Sequence, residues 1–292
     1  MKMERLHMLI ALSVILLDAR AEGSNQGLSS GAFGASLGAG AATAAERCGW
    51  GQSPAALRPG GKGFLVHTHR PFALEEVRVM EAGGYLDLRR AGFGAAWRQT
   101  GVDGLFLEQG FEAQASWRLG AGRSGFPGQL DMGGAWTWWR QAVAGRPATG
   151  RGEQGYGLVW RLLPQLHAGG FVRGMSFRKS AYVKGESQDR ILQCGLEAES
   201  GVASSQGGTG TTQVLRFDLR RTGDTDWRAL ASLSVRPHPS FEVTSGLSSA
   251  PFQFSLGIRL SFSGLEFHQA FRQHRDLGPT WLSSLAYSGG PR

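Results

Sequence analysis

Phe252, Phe254, Leu256, Ile258, Leu260 and Phe262 occupy every second position of one stretch, and Gln253, Ser255, Gly257, Arg259 and Ser261 fill the gaps. A period of two places the six large apolar side chains on one face of an extended strand and the small, polar or cationic ones on the other. The chain then turns at Ser263-Gly264, and a second alternating run begins with Leu265 and Phe267. The pattern predicts an amphipathic hairpin.

The same alternation recurs along most of the chain. It is weak over Gly63 to Arg70 and long over Glu76 to Arg90, and it returns over Ala91 to Gln99. It is clearest where Phe111, Ala113, Ala115, Trp117 and Leu119 oppose Glu112, Gln114, Ser116 and Arg118. Further runs cover Leu130 to Trp138, Tyr156 to Leu162, Leu166 to Gly174, Leu192 to Ala198, Leu215 to Leu219, Trp227 to Val235 and Phe241 to Leu247. Leu265 to Gln273 and Thr280 to Tyr287 complete the series. These runs predict an all-β chain, a transmembrane antiparallel β-barrel of about 14 strands, each near the ~9–11 residues of a tilted membrane strand.

A soluble β-sandwich also alternates, and it is the competing architecture. Its strands would be shorter, about five or six residues. Here the apolar faces are dominated by Trp, Phe, Leu and Ala, and Trp97, Trp117, Trp138-Trp139, Trp160 and Trp281 lie near strand ends, where interfacial girdles belong. The connections predict the same choice. Arg90-Ala91, Leu163-Pro164, Pro237 to Ser240 and Ser263-Gly264 read as short periplasmic turns. Thr100 to Gly110, Ala142 to Gln154 and Ser176 to Asp189 read as longer external loops, with Ser200 to Gly210 as a long exception on the periplasmic side.

Composition narrows the function classes. Of 292 residues, 45 are Gly and only 18% are charged, which fits neither a disordered chain nor an ordinary helical one. The formal charge of +8 comes almost entirely from Arg spread mostly singly, with Arg89-Arg90 and Arg220-Arg221 as the only Arg-Arg pairs. No basic helix or zinc-finger spacing accompanies it, so nucleic-acid binding is not expected, and Arg facing a lumen or anionic lipid headgroups accounts for the charge. Lys2 and Arg5, the apolar Met8 to Leu17 and the A-x-A site at Ala19-Arg20-Ala21 read as a cleaved export signal. That apolar run is too short to span a bilayer. The expected organisation is a signal peptide at 1–21, a Gly/Ala-rich segment at 22–62, a barrel at 63–288 and a tail at 289–292. The Gly/Ala-rich segment reads either as a flexible leader or as a compact piece tucked into the lumen. The two cysteines, Cys48 and Cys194, form no disulfide framework, and Cys194 shares an apolar face with Leu192 and Leu196.

Three short motifs carry a family resemblance. Trp50-Gly51-Gln52-Ser53-Pro54-Ala55-Ala56-Leu57, after the Gly/Ala-rich start, resembles the "W-N-P-A-G-L" segment of the PorV/PorQ-type outer-membrane barrels, which are related in architecture to the FadL long-chain fatty-acid transporters. Leu105-Phe106-Leu107-Glu108 resembles their "L-Y-x-E" element. Leu265 to Thr280 resembles their final hairpin, "E-L-x-Y-x-x-x-x-H-P-x-L-G-x-T". Ser53 stands where the family has Asn, Ala56 where it has Gly, and Arg275 where it has Pro. The resemblance implies an outer-membrane protein without cofactor. It would be either a passive transporter of hydrophobic or small solutes with the N-terminal segment as hatch, or an outer-membrane partner of a secreted cargo or secretion-machinery protein.

The polar strand faces nominate the interior: Arg98, Glu112, Arg118, Arg161, Arg173, Glu197, Arg216, Asp218, Arg220, Arg259, Glu266, His268 and Arg272. Charges there would pair across the barrel and narrow it, or their Arg would favour an anionic solute. His67 and His69 share a strand face, yet no Cys/His/Asp cluster nearby completes a metal site. No Ser spacing beside His268 marks a nucleophile, and Gly207-Gly208-Thr209-Gly210 lacks the Lys-Ser/Thr of a phosphate loop. An enzyme is not expected. The alternative is a secreted soluble β-sandwich that binds surfaces without catalysis.

Overall fold

The computed structural model describes residues 53–55, 61–71, 76–88, 90–119, 128–176, 190–202, 211–223, 225–249, 252–275 and 278–289. The expected export signal, Cys48, and most of the 22–62 segment and of the loops at 177–189 and 203–210 lie outside them. Fourteen strands follow in chain order. They are β1 (Lys62–Arg70), β2 (Val77–Asp87), β3 (Ala91–Val102), β4 (Phe106–Leu119), β5 (Gln129–Val143), β6 (Thr149–Leu163) and β7 (Leu166–Ser176). Then come β8 (Ile191–Val202), β9 (Thr211–Thr222), β10 (Arg228–His238), β11 (Phe241–Ser249), β12 (Phe252–Phe262), β13 (Leu265–His274) and β14 (Gly278–Gly289). Every strand pairs antiparallel with its chain neighbours, and β1 pairs β14 from Lys62↔Gly289 to Arg70↔Trp281, closing the sheet into a barrel. A single closed sheet has no second sheet to pack on, which rules out the sandwich.

The alternation decides which face each residue takes. On β12, Phe252, Leu256, Ile258, Leu260 and Phe262 are exposed on the outer face, while Ser255, Gly257 and Arg259 are buried inside. The outer face elsewhere carries Phe93, Trp97, Phe111, Trp117, Met132, Trp136, Trp138, Leu196, Phe217 and Trp281, all exposed. Such a continuous apolar band is what a barrel presents to lipid. Cys194 lies on it between Leu192 and Leu196. The first strand alternates weakly because Leu65 points inward, packed with Ala286, while Phe64 and Val66 point outward.

Several connections depart from expectation. The loop expected over Thr100 to Gly110 is only residues 103–105, because β3 and β4 continue pairing out to Val102↔Phe106. The loop expected over Ala142 to Gln154 is only residues 144–148, because β5 and β6 pair out to Gln141↔Thr149. Above a membrane both faces of a strand meet water, so a ladder can persist where the apolar alternation has stopped. At the other rim the turn expected over Pro237 to Ser240 is only residues 239–240, because β10 runs to His238, and the turns at 88–90, 164–165 and 263–264 are short. At the β12–β13 turn Ser263 and Gly264 both have positive φ, 48° and 88°, the geometry of a two-residue type I′ hairpin.

Candidate functional site

The interior face is polar, and its charges are grouped. Register places one continuous row of inward side chains across seven neighbouring strands. It runs Arg98 (β3), Glu81 (β2), His67 (β1), Ser284 (β14), His268 (β13), Arg259 (β12) and Glu242 (β11). Arg259 pairs with Glu242, which also holds Arg236 at 3.0 Å. Glu266 lies 3.9 Å from Arg259 and 3.3 Å from His268. The His67 Nδ1 donates to the Ser283 carbonyl at 2.9 Å, which leaves Nε2 to accept from His69 Nδ1 at 2.8 Å.

A second group spans nonadjacent strands. Arg173 on β7 reaches over β6 and β5 to Glu112 on β4, at 2.6 Å. Gly155 permits the crossing, since a Cβ there would lie 2.9 Å from Arg173 Cγ. Glu112 also accepts from Thr137 at 3.2 Å and from Gln114. Beside it, Trp139 lies over Gly110 and donates to Glu153 at 3.0 Å. Arg151 stacks 5.6 Å above the Trp139 ring.

Two further groups complete the wall. Near the short-turn rim, Arg118 meets Asp87 at 3.1 Å and Asp131 at 3.4 Å, and Asp131 meets Arg161 at 2.9 Å. On the far side Glu197 takes Arg216 at 2.7 Å and His167 at 3.3 Å, while Arg216 donates to Ser234 at 2.8 Å. Gln193 donates to Asp218, whose carboxylate lies over Gly195.

Of the residues expected from sequence, the structure thus joins Glu112 with Arg173, Glu197 with Arg216, Arg118 with Arg161 through Asp131, and Arg259 with Glu266 and His268. Arg98 faces Glu81 across the β2–β3 ladder, and Arg220 sits in register between Gln193 and Arg228. Arg272 on β13 lies opposite Ser255 and Thr280. Asp87, Asp131, Glu81, His167 and Glu242 were not singled out, although each lies in the inward phase of its strand. Among the described residues no group of three or more His, Cys, Asp or Glu could hold a metal ion.

Burial decides what kind of interior this is. Arg259, His268, Glu112 and Glu242 are each 1% exposed and Asp218 is 0% exposed. A wide water-filled pore would leave such side chains wet, whereas here the wall is covered. Among the described residues the buried Arg173, Arg216 and Arg259 each have a Glu partner, as a low-dielectric interior requires.

One piece of chain other than a strand lies against this wall. Ser53, Pro54 and Ala55 are buried. Ala55 packs on Val159 of β6. Pro54 lies over Gly133, and Ser53 and Pro54 lie over Gly157, where a Cβ would come 2.6 Å from Ser53 Oγ and 3.0 Å from Pro54 Cδ. Gly133 and Gly157 are cross-strand partners on β5 and β6, so together they form a side-chain-free seat.

An apolar outer band, a charged and covered interior and fourteen antiparallel strands in one closed sheet define a β-barrel of the outer-membrane type. Solved structures share the fold. CymD, a monoaromatic hydrocarbon channel, superposes with a TM-score of 0.59 at 11% identity, over 90% of this chain and 97% of that one. The toluene transporter TbuX of Ralstonia pickettii gives 0.55 at 9% identity, over 90% and 98%. The outer membrane protein Omp33 of Acinetobacter baumannii gives 0.51 at 8% identity, over 79% and 99%. No family model matches the chain, and no curated protein sequence matches it.

Proposed function

We propose that the chain is an outer-membrane barrel that lets a hydrophobic small solute cross passively, with the segment around Ser53–Ala55 acting as a hatch against the wall. The observation that carries this is the seat: a non-strand segment is buried on two paired glycines inside a covered, ion-paired interior. A general porin needs the opposite, an open wet lumen. The hydrocarbon channels and transporters that share the fold support the choice of solute. In this reading the polar groups hold the wall closed and in register, and Ser53–Ala55 leaves its seat to open the path. The interior candidates Arg98, Glu112, Arg118, Arg161, Arg173, Glu197, Arg216, Arg220, Arg259, Glu266 and His268 act as wall and lining, without chemistry on the solute.

The test compares cells with and without the barrel. Outer-membrane fractionation and heat-modifiable gel migration establish that it is inserted and folded. Uptake of labelled toluene should rise several-fold, while planar bilayers holding the purified barrel stay nearly silent to ions. A steady large ion conductance without added toluene uptake would make it an aqueous porin. No uptake, no conductance and co-purification with an exported protein would make it the secretion partner implied by the PorV resemblance.

A further inference from the structure

The two rims of the barrel differ in charge on the outer, lipid-facing side. At the rim that carries residues 71–76, 103–105, 144–148 and 223–227, the outward phase of several strands ends in arginine. Arg70 ends β1, Arg78 starts β2, Arg140 nears the end of β5, Arg190 precedes β8, Arg221 nears the end of β9 and Arg275 follows β13; all six are exposed. Each of the first five lies one outward step from an exposed apolar side chain. Those are Trp281 across the seam from Arg70, then Met80, Trp138, Leu192 and Leu219. The opposite rim carries Leu86, Leu88, Trp117, Leu163, Phe262 and Leu265 in that position. Its exposed cations among the described residues are Lys62 and Arg90, since Arg236 turns inward to Glu242.

The arrangement is also locally repulsive. Continuing the β1–β2 ladder one step beyond His69↔Val79 sets Arg70 opposite Arg78. Leu192↔Arg221 puts Arg190 one outward step from Arg221 on the neighbouring strand. Like charges so placed destabilise a sheet unless an anion lies between them. Exposed carboxylates at this rim among the described residues are Glu76, two residues before Arg78, Asp103 in the 103–105 turn and Asp226 before β10, and the outward neighbours of Arg140 in register are the uncharged Gln109 and Gly150.

Resting on the membrane-barrel reading above, we infer that this arginine rim docks the phosphates of a phosphorylated glycolipid in the outer leaflet. Guanidinium groups match phosphate oxygens with two parallel hydrogen bonds, and these arginines stand just beyond the apolar band, at headgroup height. The leaflet follows from the opposite rim. That rim holds both barrel ends, Lys62 and Gly289, which face the periplasm in outer-membrane barrels, and three of the four two-residue connections, at 164–165, 239–240 and 263–264, alongside the longer connections at 120–128 and 203–210.

The experiment uses the folded barrel in detergent, checked by heat-modifiable migration so that loss of fold is separated from loss of binding. Native mass spectrometry measures retention of diphosphorylated lipid A, of its dephosphorylated form and of phosphatidylglycerol. The expected result is retention of the diphosphorylated form alone. Triple replacement by Arg140→Gln, Arg190→Gln and Arg221→Gln should lower it on the order of a hundredfold, about fivefold per arginine. Lys62→Gln with Arg90→Gln on the other rim should leave it unchanged. Equal retention by the triple variant, equal retention of the dephosphorylated lipid, or equal retention of phosphatidylglycerol would each overturn the assignment.

Discussion

Gly157→Ala tests the seat at the level of single atoms. The new Cβ would stand 2.6 Å from Ser53 Oγ and 3.0 Å from Pro54 Cδ, against an ordinary carbon–carbon separation of ~3.5–4.0 Å. The Ser53 hydroxyl can rotate away, but the proline ring cannot. Overpacking of this kind costs about 1–3 kcal/mol, which multiplies the unseated fraction by about fivefold to about a hundredfold. The strand itself keeps its ladder, so the cost falls on the seated segment. Ala55→Cys, in a background with Cys48 and Cys194 replaced by Ser, reports this as the rate of labelling by a water-soluble maleimide, because Ala55 is 1% exposed when seated. Gly157→Ala should accelerate labelling by that factor. Gly134→Ala, on the outward face of the next strand with its nearest obstacle a Trp136 carbon at 3.5 Å, should not. If both variants label at the wild-type rate while the barrel remains heat-modifiable, the segment does not rest on this seat and the hatch reading loses its support.

Other expectations follow from the same wall. Arginine placed at Leu256 or Ile258 should destabilise the inserted barrel by about 2–4 kcal/mol, and at Phe252 or Phe262 by about 0–1 kcal/mol, read from urea unfolding in bilayers. A flat cost along β12 would contradict its lipid-facing assignment, because its eleven residues, tilted by about 40°, cover ~29 Å and place the central pair at mid-bilayer. Glu242→Gln removes the nearest carboxylate from Arg259, 1% exposed, and should cost about 3–5 kcal/mol, whereas Glu242→Gln combined with Arg259→Met should recover most of it. At the type I′ turn, Ser263→Asn should stabilise slightly. Gly264→Ala should destabilise by more than about 1 kcal/mol, since its φ is 88° and its Cβ would lie 2.9 Å from Ser288 O, and refolding yields from urea would compare the two.

The strands were legible because lipid on one side and a polar wall on the other impose a strict period of two. Phe111 to Leu119 and Phe252 to Phe262 show it without interruption. The signal failed where one of those solvents changed. Residues 99–102 and 106–109 continue the β3–β4 ladder above the apolar band, where neither face needs to be greasy. Leu65, Phe171 and Ile191 are apolar and inward, so their strands read as less regular than they are. The interior groups were legible as faces, not as pairs. Arg173 and Glu112 are 61 residues apart, and only barrel curvature and the missing side chain of Gly155 bring them to 2.6 Å. Asp131 lay in the inward phase between Leu130 and Met132, and sequence alone gave no reason to prefer it. Gly133 and Gly157 look like weak points in their strands until Ser53 and Pro54 are seen against them.

The β1–β14 pairing sets how such a chain can assemble. Every other ladder joins consecutive strands, while this one brings together residues 227 positions apart (289 − 62). Closing a loop of that length costs about 3 kcal/mol more entropy than closing one of ten residues. The hairpins can therefore form early and independently, and the seam comes last. Until it zips, β1 and β14 both present bare backbone edges, which hydrocarbon cannot solvate, at several kcal/mol for each unsatisfied group. A chain short of β14 is then not a weaker barrel but a sheet that cannot remain in the bilayer. Assembly is an all-or-none event whose commitment step is nine residue pairs, Lys62↔Gly289 to Arg70↔Trp281, at the junction of the first strand with the last.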